Sequence, residues 1–273
     1  MSNPKESSSV AGSSTSSTSS ALISMLAFSA AMLHFACVLR SHARGQLEIR
    51  VGATVIPITP ESLSILHTIS KPVPIWAMAW LVSQWARPSF HNYHYNRGVM
   101  WGLLLSSLGD ILLLPVVDIF IGGLGSFLVA HLLYIWAFGL PKLRIASVGL
   151  LLICLLYAGG MFVVLEPHLQ PELKIPVIVY ALVIGTMGWS AIAKLFSSTG
   201  ERGGGNIIMA ALGSLVFIAS DTILALRDFH PAVPKRSVNA QLAVMITYYL
   251  AQALLCASCG FSRQEDLRKD KSE

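Results

Sequence analysis

The sequence predicts an all-α fold, a polytopic membrane bundle of about eight transmembrane helices with a faint four-helix duplication. Composition is the first reason. Of 273 residues, 54% are hydrophobic and 12% charged, about half the ~25% charge of a soluble domain, and the mean hydropathy is +0.64. The second reason is spacing: apolar runs recur near the ~20 residues that cross a ~30 Å hydrocarbon layer. The third is that ionisable residues stand inside those runs, where hydrocarbon makes each one costly and marks it as a functional candidate.

Residues 1–20 are Ser/Thr-rich and nearly devoid of apolar side chains, the composition of a disordered tail. They lack the basic start and short apolar core of a cleaved signal, so the next apolar run is expected to stay as an anchor. The transmembrane domain is expected over 21–261, with spans at about 21–40, 60–83, 97–117, 119–140, 143–165, 173–196, 204–227 and 238–261. The longest loop, 41–59, alternates loosely from Glu48 to Pro57 and suits a small hairpin outside the membrane. Pro115 and Gly122-Gly123 break an otherwise continuous apolar stretch, making spans three and four antiparallel neighbours.

Eleven Lys and Arg fall on the N-tail, the even-numbered loops and the charged tail 262–273, against seven on the odd-numbered loops. That bias puts both termini in the cytoplasm. The net charge of +5 is spread over loops and tail, a topology signal rather than a nucleic-acid footprint. Cys37, Cys154, Cys256 and Cys259 all lie in apolar runs and suggest no disulfide framework. The C-x-x-C at 256–259 sits on an expected transmembrane helix and reads as small-residue packing. The duplication pairs Gly102 and Asp110 with Gly213 and Asp221, at an offset of 111 residues. Chance likeness in Leu-rich sequence is the competing explanation.

Few strongly polar groups stand at membrane depth: Lys71, Asp110, His131, Tyr134, Tyr180, Asp221, Tyr248, Tyr249 and Gln252, with His34 and His67 as further candidates. His67 and Lys71, and Tyr248 and Gln252, are four apart; His131 and Tyr134 are three apart. Each pair therefore shares a helix face. The topology puts all of these groups in the middle or outer half of their spans, so they can meet in one layer. Lys71 with one of the acids is the natural ion pair.

Plainer readings exist for each. The acids could be interhelical hydrogen-bond glue, worth ~0.6 kcal/mol on average, which is little return for two buried carboxylates and a buried ammonium. His131 could be a satisfied core histidine and the tyrosines packing anchors. Lys71 could snorkel toward a kink made by Pro72 and Pro74. Ser106, Ser107 and Ser220 read as packing hydroxyls. Two acids near one centre can divide labour, one protonated and one ionised. That suits acid-catalysed cleavage through an oxocarbenium-like ion, and equally a proton-coupled transporter or lipid carrier. A metal-dependent, ceramidase-like hydrolase would need several histidines at ligand spacing, and His131 has poorly matched company. A non-catalytic scaffold leaves the buried charges unexplained.

Beyond this fork the residues carry a resemblance. Lys71-Pro72-Val73-Pro74, Ser107-Leu108-Gly109-Asp110-Ile111-Leu112-Leu113 and the stretch from Phe120 through His131-Leu132-Leu133-Tyr134 resemble the YhhN family of membrane proteins. Tyr180 with Met187, Phe217-Ile218-Ala219-Ser220-Asp221 and Tyr248-Tyr249-Leu250-Ala251-Gln252 fit it in the same order, over about 60–260. Animal members are lysoplasmalogenases. The resemblance implies hydrolysis of the vinyl-ether bond of a lysoplasmalogen to a fatty aldehyde and glycerophosphoethanolamine or glycerophosphocholine. It implies a lysophospholipid substrate and a lipid bilayer as partners and, with the lack of a cleaved signal, residence in the endoplasmic reticulum; charge and histidine spacing add the expectation of no nucleic acid and no metal, and no cofactor is expected. One of Asp110 and Asp221 would donate the proton and the other stabilise the cation. Lys71, His131, Tyr134, Tyr180, Tyr248 and Gln252 would position substrate or water.

Overall fold

The computed structural model describes residues 47–51, 54–58, 68, 70–86, 92–114, 116–197, 204–235 and 237–269. Among them are a two-stranded antiparallel sheet, β1 (Leu47–Val51) with β2 (Thr54–Ile58), and seven helices. The helices are α1 (Val73–Ser83), α2 (Tyr93–Leu112), α3 (Phe120–Phe138), α4 (Ile145–Leu165), α5 (Pro171–Ser197), α6 (Gly204–Phe229) and α7 (Val238–Lys269). Helices α3 to α7 each contain a stretch long and apolar enough to cross a membrane. The first expected span, 21–40, the tail 1–20, His34 and His67 lie outside the described residues.

The hairpin falls within the 41–59 loop, with Ile49 opposite Ile56. Helix α1 is shorter than the span 60–83. It opens with Pro72 at the N-cap and Pro74 within the first turn, positions where a missing N–H costs nothing and the fixed φ favours helix. Lys71 therefore sits in a turn at the mouth of α1, not within a helix. Helix α2 begins earlier than position 97, its first turns being Tyr93-His94-Tyr95-Asn96-Arg97. It ends at Leu112, short of 117, because Pro115 follows and cannot donate to a continuing ladder.

The expected break at Gly122-Gly123 is corrected: both lie in the first turns of α3, and the break is confined to 113–119. These glycines serve packing instead. A β-carbon on Gly123 would stand 2.5 Å from Leu113 Cγ, and one on Gly109 would stand 2.6 Å from the Phe127 ring. Two bare backbones thus cross at Gly109 and Gly123, next to Asp110. Gly102 similarly leaves room for the Tyr134 ring.

The tightest neighbours are α2 with α3 and α6 with α7, and α5 bridges α3, α4 and α6. Hydroxyls tie the crossings. Ser126 Oγ donates to Leu105 O at 2.7 Å and Ser220 Oγ to Val244 O at 3.2 Å. The buried centre runs through Leu103, Phe127, Tyr134, Met187, Phe217 and Leu255. Many of the large apolar side chains on α4 face outward, such as Ile153, Leu156 and Val163, as a lipid-facing helix requires.

Candidate active site

The buried polar groups gather into three neighbouring clusters rather than the single layer that spacing suggested. In the first, Lys71 Nζ stands 2.9 Å from Asp110 Oδ1, while Tyr248 donates to Asp110 Oδ2 at 2.6 Å. Tyr249 donates to the Lys71 carbonyl at 2.9 Å, securing the turn that carries the ammonium. Trp76 Nε1 donates to Ser107 Oγ at 3.0 Å. Asp110 is thus matched in charge and closed off by protein.

The second cluster joins α3, α5 and α6. Tyr180 donates its hydroxyl proton to Asp221 Oδ2. Its oxygen also lies 2.9 Å from His131 Nε2. Because the tyrosine proton is committed to the carboxylate, its oxygen can only accept from the histidine. That assigns the imidazole proton to Nε2. Nδ1 of His131 is buried with no hydrogen-bond partner among the described residues, which a bare acceptor tolerates better than an N–H would. The arrangement is directional, running from His131 through Tyr180 to Asp221. His131 Nε2 is itself 3.5 Å from Asp221 Oδ2.

In the third cluster Tyr134 donates to Gln252 Oε1 at 3.0 Å, with Ser106 Oγ 3.5 Å from the same hydroxyl. Tyr134, His131 and Gln252 are fully buried.

Phe127 and Phe217 separate the clusters. Phe217 meets the His131 ring edge-on at 4.8 Å and the Tyr248 ring at 5.7 Å; Phe127 meets Phe217 at 6.4 Å and Tyr248 at 6.1 Å. Sequence reading gave neither a role. A signal was present, since each stands four residues before a polar group on its own helix, Phe127 before His131 and Phe217 before Asp221, and so shares its face.

A pocket of about 120 Å³ opens beside the second cluster, between α3, α4, α5 and α6. Its wall is almost wholly apolar, including Phe127, Ala158, Ala181, Ile184 and Ile218. Of the expected site residues, Asp221 and Tyr180 line it; Asp110, Lys71, His131, Tyr134, Tyr248 and Gln252 do not. Charge explains the difference between the acids. Lys71 compensates Asp110 within the bundle, whereas among the described residues Asp221 has no lysine or arginine partner and lines the pocket. Among the described residues, no group of three or more His, Cys, Asp or Glu is placed to hold a metal ion. Cys256 and Cys259 are buried free thiols whose nearest acceptors are the carbonyls of Met78 and Leu255, each at 3.8 Å.

Residues 66–259, which hold all three clusters, match the YhhN family. The chain belongs to the YhhN family. Among relatives of this YhhN protein is human "Lysoplasmalogenase TMEM86B", 33% identical over 205 residues that cover 74% of this chain and 78% of that one. "Lysoplasmalogenase TMEM86A" of Bos taurus is 36% identical over 223 residues, 80% and 89% of the two chains. A "Lysoplasmalogenase" of Mycobacterium bovis is 32% identical over 174 residues, 61% and 60%. No solved structure matches this YhhN protein. Membership, together with five helices of membrane-crossing length and apolarity, makes the chain an integral membrane protein.

Proposed function

We propose that this protein is an intramembrane lysoplasmalogenase, hydrolysing the vinyl-ether bond of a lysoplasmalogen to a fatty aldehyde and a glycerophosphoethanolamine or glycerophosphocholine. The observation that carries the chemistry is Asp221, a carboxyl group at the wall of an apolar pocket with a tyrosine and a histidine lined up behind it. The names of its relatives supply the substrate class.

The two acids have unequal parts in this reading. Tyr180 and His131 occupy Asp221 Oδ2, leaving Oδ1 to meet the substrate. The protonated carboxyl gives its proton to the β-carbon of the vinyl ether, and the α-carbon becomes an oxocarbenium ion. The faces of Phe127 and the pocket aromatics accept positive charge. A water oxygen bonds to the α-carbon and yields a proton to the Asp221 carboxylate, which is thereby restored. The resulting hemiacetal breaks its bond to the glycerol oxygen; its hydroxyl proton is lost and the glycerol oxygen takes one up. One water is consumed. Such acid–base assistance contributes about 10²–10⁴-fold. Asp110 acts at one remove: with Lys71 it fixes Tyr248 against the aromatic wall. Tyr134 and Gln252 hold that wall from behind.

The wider arrangement belongs to the same proposal: eight spans over 21–261, flanked by the tails 1–20 and 262–273, both termini cytoplasmic, in the endoplasmic reticulum. Two four-helix halves are supported by Gly102 and Gly213. Each stands eight residues before an acid, and each would meet the following helix if given a β-carbon.

The test uses purified protein and an alkenyl lysolipid in heavy water. Hydrolysis by this route releases an aldehyde with one deuterium on the carbon next to the carbonyl. Release of no aldehyde, or of aldehyde without that label, contradicts the reading.

A further inference from the structure

The pocket does not end at Asp221. Along α6 it is lined by Asp221, Thr222, Leu224, Ala225, Asp228 and Phe229, a spacing that keeps one helix face toward it over two turns. At its outer end stand a second acid, Asp228, and the rings of Phe229 and Phe120, which meet edge to face at 5.8 Å and 90°. Arg227 Nε holds Asp228 Oδ1 at 2.8 Å, and the same guanidinium donates to Gln241 Oε1. Among the described residues, the other carboxylate oxygen has no hydrogen-bond partner.

Arg227 already supplies one cation to Asp228, yet the carboxylate still borders the pocket and can take a second. Asp228 lies in the last turn of α6, where the helix dipole already concentrates negative charge and favours cations. Aromatic faces beside a carboxylate are the usual setting for an ammonium or quaternary amine. Distance agrees as well. Asp228 is seven residues beyond Asp221, ~10.5 Å along the axis at 1.5 Å per residue. In a lysolipid with an ethanolamine or choline head group, about ten bonds of ~1.5 Å separate the vinyl carbon from the nitrogen, a reach of roughly 10–12 Å when partly extended.

We propose that Asp228, with Phe120 and Phe229, forms the subsite that receives the cationic amine of the lysolipid head group, two helical turns from the reacting carbon. This rests on the hydrolase reading above. Arg227 is a positioning residue that aims the carboxylate. The head group then lies at the polar end of α6, the vinyl ether at Asp221, and the aliphatic chain beyond it among Ile218, Ala158 and Gly185.

The experiment compares alkenyl lysolipids carrying ethanolamine, choline or a bare phosphate, using the full chain in nanodiscs. The ratio of kcat/KM for amine-bearing over amine-free substrate should fall on the order of fivefold in Asp228→Asn, through KM, and should return in Asp228→Glu. Phe229→Leu should penalise choline more than ethanolamine. A ratio in Asp228→Asn equal to wild type overturns the subsite. A second readout does not depend on turnover: binding of the saturated alkyl ether analogues, which cannot be protonated at carbon. Asp228→Asn should weaken the amine-bearing analogues about fivefold and leave the bare phosphate unaffected; equal Kd values for wild type and variant overturn the subsite. If wild type releases no aldehyde while this binding difference persists, the hydrolase reading fails and the amine subsite stands.

Discussion

Lys71 Nζ stands 2.9 Å from Asp110 Oδ1, their side chains only 11% and 4% exposed. The pair joins the turn before α1 to the last turn of α2. Removing one partner strands the other charge, which costs about 3–5 kcal/mol for a buried pair. Lys71→Met should therefore lower thermal stability by that order, and Asp110→Asn similarly. The double variant should recover most of the loss, because a matched neutral pair strands nothing. Additive losses in a double-mutant cycle would show that the two groups do not act on each other.

Gly102 supplies a second stability prediction. A β-carbon there would stand 2.2 Å from Tyr134 Cε1, and Tyr134 is held by Gln252 and stacked on Phe138. Gly102→Ala should destabilise by about 1–3 kcal/mol. Gly159→Ala has open space around it and should be neutral or stabilising by about 0.5–1 kcal/mol. Unfolding in detergent, followed by near-ultraviolet circular dichroism, checks both.

The helical, membrane-crossing character was legible in the sequence because hydrocarbon imposes a length on every crossing segment and a cost on every charge within it. The pairing of Lys71 with an acid followed from that cost alone. Which acid it takes did not follow, because the choice depends on where Pro72 starts α1 and on how closely α2 and α3 cross at Gly109 and Gly123. The expected single layer became three clusters for a similar reason. Polar residues announce themselves in an apolar run, whereas Phe127 and Phe217, which divide them, look like any other core residue. Asp228 went unnoticed as a site residue because it stands at a helix end, where acids are ordinary; only the pocket connects it with Asp221.

The relay behind Asp221 predicts a graded loss. Tyr180→Phe removes the hydroxyl that both orients Asp221 and contacts His131. It should lower kcat by about 10- to 100-fold with little change in KM. His131→Gln, which retains a donor, should cost less than His131→Leu. Single-turnover aldehyde release measures each. A change in KM alone would move these residues from chemistry to binding.

Ala181 lines the pocket beside Tyr180. Ala181→Leu should narrow the space for the aliphatic chain and shift preference toward shorter alkenyl substrates, by about 10-fold in relative kcat/KM. An unaltered chain-length profile would place the chain elsewhere.

The most direct measurement is aldehyde release by Asp221→Asn from an ethanolamine lysoplasmalogen, with thermal unfolding recorded on the same preparation. The substitution keeps shape and removes the transferable proton. The account predicts a fall in kcat of at least about 10²-fold in a protein that unfolds like wild type. Turnover at the wild-type rate would contradict it.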